Sequence, residues 1–209
     1  MKRLLIQLMC ILAVATVQAQ QINLKYENKT NTLPDVMQQY FNMQKVKHLS
    51  ATITGDFKGK RVRLKKVSCD KGTFSERELF PDAVHIIFKD SIKTFDFMAI
   101  PYGQDSVCVS GFYPKDNYPL FNDTVPGGMF KILMETYTPG DGPDIPIMSY
   151  SSGIPTKFGA YYCGLRDSGV NPWKWHEKYG IDNYVFYTVR FEEDTPPDPN
   201  EPNYIKISL

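Results

Sequence analysis

From residue 47 onward the chain alternates apolar and polar side chains with the period of two that a half-buried strand requires. "LSATITGDF" (49–57) and "KRVRLKKVSC" (60–69) are β-branched alternating runs joined by a short Lys-Gly segment, and together they predict a hairpin. "AVHIIFKD", "KTFDFMAI" and "DSVCVSGFY" repeat the pattern, and "MFKILMETYT", "FGAYYCGL", "NYVFYTVRFEE" and "NYIKISL" add four more candidate strands. Two segments depart from it. "TLPDVMQQYFNMQKV" reads as a helix, with Pro34 suited to its first turn and Val36, Met37, Tyr40 and Phe41 marking an apolar face. "NPWKWHEKYG" reads as a two-turn helix, with Asn171 as N-cap, Pro172 at the first helical position and Gly180 just past the end.

About nine strands against two short helices, with turn signals every eight to twelve residues, predict a mainly β protein. The expected form is an antiparallel β-sandwich or barrel-like sheet. Long helical patterns do not alternate with the strands, which argues against a parallel α/β sheet. The Pro/Gly-rich stretch "YTPGDGPDIPIMSYSSGIP" is expected to cap one end of the sheets as a connection. "EDTPPDPNEP" must be a loop, because its prolines break helix and ladder alike, and a short C-terminal strand then returns to a sheet edge.

The first residues change the compartment. Lys2 and Arg3 precede an apolar run too short for a stable span, which closes on Val17 and Ala19 at a small-residue cleavage site. Residues 1–19 are thus expected to be a signal peptide and residues 20–209 one β-rich domain, with no membrane span after cleavage. The protein is placed in the periplasm, on the cell surface or outside the cell. Without Lys2 and Arg3, 24 basic side chains fall to 22 against 23 acidic ones, so no basic face invites nucleic acid. Cys69, Cys108 and Cys163 remain. Three pairings are open in an oxidising compartment; Cys69–Cys163 is the expected disulfide, since Cys108 reads as a small buried strand residue.

Candidate chemistry is sparse. The chain carries no GxSxG, HExxH, P-loop or GxGxxG, and Ser151 and Ser152 read as turn chemistry. His48, His85 and His176 are scattered singly, so no metal site, cofactor or catalytic residue is assigned. Loop carboxylates (Asp141 and Asp144, then Glu192, Glu193 and Asp194) would suit a glycan-processing hydrolase if two of them faced each other across a cleft. Aromatic residues make up 13% of the chain, and Tyr102, Tyr113, Tyr118, Tyr137 and Tyr150 sit in or beside loops, where exposed rings stack on sugars or anchor partners. In "NPWKWHEKYG" the two tryptophans lie roughly 200° apart on a helix. Trp175 and Tyr179 then share one face and Trp173 and His176 another, so one pair anchors the helix and the other is a ligand contact.

The form Asp, hydroxyl residue, aliphatic occurs three times, at Asp90-Ser91-Ile92, Asp105-Ser106-Val107 and Asp123-Thr124-Val125. About 0.5 occurrence is expected by chance from the composition. Turn chemistry before a strand accounts for part of this enrichment. The triplets, the "AVATVQAQ" leader and the "ITGDFKGKRVRLKK" segment together resemble small exported β-rich proteins of gut Bacteroidetes. The resemblance implies a periplasmic or surface location, and O-glycosylation at Ser91, Ser106 and Thr124. It brings no activity with it. The expected function is an exported, non-enzymatic protein that binds a glycan or an envelope protein. The alternatives are the hydrolase above and a structural envelope component.

Overall fold

The computed structural model describes residues 22–102, 106–113, 118–126, 132–136, 143–195 and 205–208; the leader lies outside them. The alternating pattern becomes two large open sheets. One is antiparallel throughout, with β1 (Asn23–Asn28), β2 (Lys47–Thr54), β6 (Ile92–Tyr102), β7 (Ser106–Tyr113) and β8 (Tyr118–Pro126) in that spatial order. The other runs β14 (Ile205–Ser208), β5 (Val84–Ile87), β3 (Arg61–Asp70), β13 (Asn183–Glu192), β10 (Ile145–Ser151), β9 (Ile132–Met134), with β4 (Thr73–Glu78) also paired to β3. A small ribbon, β11 (Ile154–Thr156) and β12 (Gly159–Tyr161), stands apart from both. The helices are α1 (Asp35–Met43), α2 (Tyr162–Arg166) and α3 (Trp175–Tyr179), with 3-10 turns at Lys29–Thr32 and Pro172–Lys174. None of the described helices is long and apolar enough to cross a membrane.

The mainly β reading therefore holds, with more strands than nine, three short helices and no closed barrel among the described residues. One pair is parallel: β14 lies alongside β5 at the sheet edge, where the C-terminal strand was expected. Leu49, Ala51 and Ile53 of β2, with Phe95, Phe97 and Ala99 of β6, meet Val62 and Leu64 of β3 and Val185, Tyr187 and Val189 of β13 in one apolar core shared by the two sheets. Successive strand residues point to opposite faces. Tyr184 and Phe186 of β13 and Val67 and Cys69 of β3 therefore project from the far side of the second sheet, into a second cluster with Leu165, Trp175 and Ile181. Burial on both faces explains why "YVFYTV" is a continuous run of aromatic and β-branched residues rather than an alternating one.

Several sequence expectations are corrected. "LSATITGDF" and "KRVRLKKVSC" do not form a hairpin: β2 pairs with β1 and β6, while β3 belongs to the other sheet. Phe57 decides this, because its fully buried ring, stacked on Phe191 at 4.5 Å and 8°, carries the chain through the core from one sheet to the other. The hairpin turns at the next Lys-Gly instead. Lys71 (φ 48°) and Gly72 (φ 82°) supply the two positive φ angles of a tight loop between β3 and β4. "IPIMSYS" is not part of a capping loop but β10, buried at every position. "FGAYYCGL" gives only three strand residues before α2 begins. Cys69 and Cys163 do not form the expected disulfide: Cys69 is buried on β3 against Tyr184, Cys163 is exposed on α2, and both are free thiols. A disulfide needs facing Cβ atoms about 4 Å apart; Cys69 instead lies within the buried cluster that holds Trp175 and Tyr184. Cys108 is half-buried rather than core, 3.7 Å from the Ser110 hydroxyl.

Candidate functional site

The helix cap signals of "NPWKWHEKYG" are realised. The Asn171 side chain accepts from the Trp173 N–H, Pro172 opens a 3-10 turn that continues into α3, and Gly180 ends it in the left-handed region at φ 66°. The segment lies on the outer face of the second sheet and plugs it. Trp175 is 1% exposed and donates from Nε1 to the Val170 carbonyl at 2.7 Å; Tyr184 donates to the Pro172 carbonyl at 2.6 Å. Burial first, and Cys69 beside it, push the Tyr184 hydroxyl well above its ordinary range. Trp173 is partly buried between Phe74 and Phe186, with each ring centroid 5.0 Å away. His176 lies over the β3–β4 turn, where a Cβ on Gly72 would come within 2.6 Å of its ring, and its Nδ1 sits 3.4 Å from Asp182. Tyr179 packs against the same cluster. Tyr150 is 4% exposed in the core between the sheets. Trp175 and Tyr150 are thus inaccessible to a ligand, and the five expected contact residues form no shared surface: four brace α3 and the fifth belongs to the main core.

The loop carboxylates are also committed. Arg190 donates to both oxygens of Asp144, and Lys65 stands 3.6 Å from it. Glu192 lies 3.8 Å from Arg190 and Glu193 3.8 Å from Lys60. Asp194 accepts from Lys206 at 2.6 Å and lies 2.9 Å from His85, tying β14 to β5; the Lys206 bond, with help from His85, holds its carboxyl below the usual range despite some burial. Tyr137 and Asp141 lie outside the described residues. A third polar group occupies the outer face of the first sheet, where the Ser50 hydroxyl donates to Asp96 and His48 Nε2 lies 3.6 Å from the same oxygen. Burial pulls Asp96 upward, but the nearby His48 and the Ser50 hydrogen bond outweigh it and leave the carboxyl below its ordinary value. With Asp96 at the centre and accepting, the order differs from a nucleophile–base–acid relay, in which His stands between the other two. The arrangement fixes β2 to β6.

The exposed aromatics lie elsewhere. Phe158 is 89% exposed at the tip of the β11–β12 ribbon, where the Thr156 side chain accepts from the Phe158 N–H and donates to the Gly159 carbonyl. Lys157 Nζ stands 4.9 Å from the Phe158 ring centroid. Tyr161, 55% exposed, caps α2 and lies against Gly164: a Cβ there would fall 2.1 Å from the ring edge, so only glycine admits this approach. The ring rests on helix backbone and keeps an open side. At the other end of α2, Arg166 donates through Nε and Nη2 to the two oxygens of Asp167 at 2.7 and 3.1 Å, and Glu135 stands 3.7 Å away. Asp167, hydrogen-bonded by Arg166, is held below its ordinary pKa, and both groups remain charged at neutral pH. Chemically the region offers an apolar ring seated on helix backbone, a second, largely exposed one, and charged donors and acceptors. Sequence reasoning placed Phe158 and Tyr161 in one strand run and singled out neither as a contact; Tyr161 does end β12, whereas Phe158 stands in the turn before it. The turn signal Lys157-Phe158-Gly159, with an aromatic residue where a polar one is usual, was the available cue.

The hydroxyl triplets divide. Ser91 and Thr124 are exposed and Ser106 is half-buried. Ser91 and Ser106 stand at the starts of β6 and β7, as turn chemistry requires, whereas Thr124 lies within β8 opposite Cys108. No protein-family model, curated protein or solved structure matches this chain.

Proposed function

We propose that the chain is an exported β-sandwich binding protein of the cell envelope, without catalysis of its own, and that it takes a glycan on the ribbon formed by β11, β12 and the start of α2. The observation that carries this reading is Tyr161, whose ring is pinned against Gly164 and open to solvent. The apolar C–H face of a sugar ring stacks on such a ring, and a side chain already fixed by its own backbone loses little entropy on binding. Phe158 closes over the ligand from the ribbon tip, and the Arg166–Asp167 pair offers donors and acceptors to sugar hydroxyls. The basic–apolar–small leader supports export, and the accessible hydroxyls of Ser91 and Thr124 suit carriers of an O-linked glycan; Ser106, half-buried, is the weaker acceptor.

A glycan array followed by titration calorimetry on the best binder tests the reading. Tyr161→Ala should weaken binding at least tenfold, about 1.4 kcal/mol, and Phe158→Ala less. Gly164→Ala, which drives the ring from its seat, should mimic Tyr161→Ala. Absence of binding to every glycan would point to a protein partner. Turnover of a bound sugar would turn the reading towards a hydrolase.

A further inference from the structure

Helix α1 is turned the wrong way round for an ordinary surface helix. Val36, Tyr40 and Met43 recur at i, i+4 and i+7, within about 60° of arc, and are 76%, 56% and 78% exposed; Met37, at 43%, widens the stripe. The side facing the body is partly polar: Gln38 donates to the Leu33 and Asn31 carbonyls at 2.7 and 3.2 Å, and Phe41 is half-buried beside it. Opposite charges bracket the stripe, with Asp35 exposed in the first turn and Lys45 exposed just beyond the last.

We infer that α1 is the contact of a homodimer, in which two copies of the helix pack antiparallel about a two-fold axis near Tyr40. Such an axis sets Tyr40 against its counterpart, Met37 against the partner copy's Met43, and Asp35 against the partner copy's Lys45. Each dimer thus gains two ion pairs and opposed helix dipoles. A parallel arrangement would place Asp35 beside Asp35. A lipid surface fits less well, because helices that lie in one carry Lys and Arg along their flanks, and α1 itself, Asp35–Met43, holds neither. Nine residues span roughly 13 Å, and four side chains bury less than the roughly 800 Å² per partner of a standard interface. The dimer is therefore weak and dynamic.

Analytical ultracentrifugation of the mature chain from about 10 μM to about 1 mM should show a monomer–dimer equilibrium. Met43→Glu should weaken it at least tenfold with unchanged circular dichroism. Asp35→Lys and Lys45→Asp should each be monomeric alone, the second accepting the left-handed φ of 54° because Asp tolerates it. Mixed in equal amounts, these two variants should form a heterodimer, since both contacts are then opposite in sign. A monomeric wild type at the highest concentration overturns the inference. So does a dimer indifferent to Met43→Glu, or one whose charge variants fail to recombine. Co-sedimentation of the monomer with anionic lipid vesicles, abolished by Met43→Glu, would assign the stripe to a membrane instead.

Discussion

Helices α1 and α3 begin from similar sequence material and end in opposite situations. Both are short, and both carry two aromatic residues, Tyr40 and Phe41 in α1 and Trp175 and Tyr179 in α3. In α3 Trp175 is 1% exposed, while in α1 Val36, Tyr40 and Met43 are all more than half exposed. The difference lies in what each helix finds when it folds back. The α3 segment meets the outer face of β3 and β13, where Val67, Cys69, Tyr184 and Phe186 leave an apolar surface that must be covered. Helix α1 packs chiefly on the 3-10 turn at Lys29–Thr32, a polar neighbour that Gln38 satisfies by hydrogen bonds. An amphipathic pattern says that a face will be covered; the neighbouring surface decides which one.

Mutations that test this contrast fall in order of expected size. Trp175→Ala should cost about 3–5 kcal/mol in urea unfolding, since it empties the centre of the plug and strands the Val170 carbonyl. A loss near that of a surface residue would show that α3 is as loosely held as α1. Gly72→Ala comes next, at about 1–3 kcal/mol, because it adds a Cβ at φ 82° against the His176 ring. His176→Ala should relieve part of this penalty in the double variant, and strict additivity would mean that the ring does not brace the turn. Asp96→Ala should cost about 1–3 kcal/mol by leaving the Ser50 hydroxyl buried without its acceptor.

The acid limb follows from the same carboxyl. The folded-state pKa of Asp96 lies below its unfolded value, so its share of stability is complete above an unfolded pKa near about 3.9 and is lost as pH falls through the folded one. Asp194 acts in the same direction. The stability gap between wild type and Asp96→Asn, measured by denaturant titration, should therefore narrow below about pH 4. A gap independent of pH would show that Asp96 is held by packing alone. The smallest effect belongs to α1: Met43→Glu should shift monomer stability by no more than about 0.5 kcal/mol. A larger loss would place Met43 in the fold rather than on an interface.

Much of the strand content was legible because a half-buried strand writes its period into the sequence. β2, β3, β6, β7 and β13 coincide with alternating or continuous apolar runs, and the Asn171, Pro172 and Gly180 signals mark the 3-10 turn and α3 through local hydrogen bonding. β10 was illegible because burial on both faces removes alternation, and because Pro146 and its Gly/Pro-rich approach resemble a loop. The candidate site was legible only as an excess of aromatic residues. Trp175 and Tyr150 attract attention by type, yet large apolar rings are the groups a core takes first.

The sequence by itself determined the β class, the caps of α3 and the turn chemistry before β6, all of which depend on side chains within a few residues of one another. Only the tertiary structure decided that Lys58-Gly59 leads a crossing between sheets while Lys71-Gly72 closes a hairpin. The same dipeptide adopts either role, and the buried Phe57, stacked on Phe191 more than a hundred residues away, settles the choice. Tertiary packing likewise decided which aromatic residues face water. Exposure belongs to the surface left over when every other contact has been made, and no local pattern records that remainder.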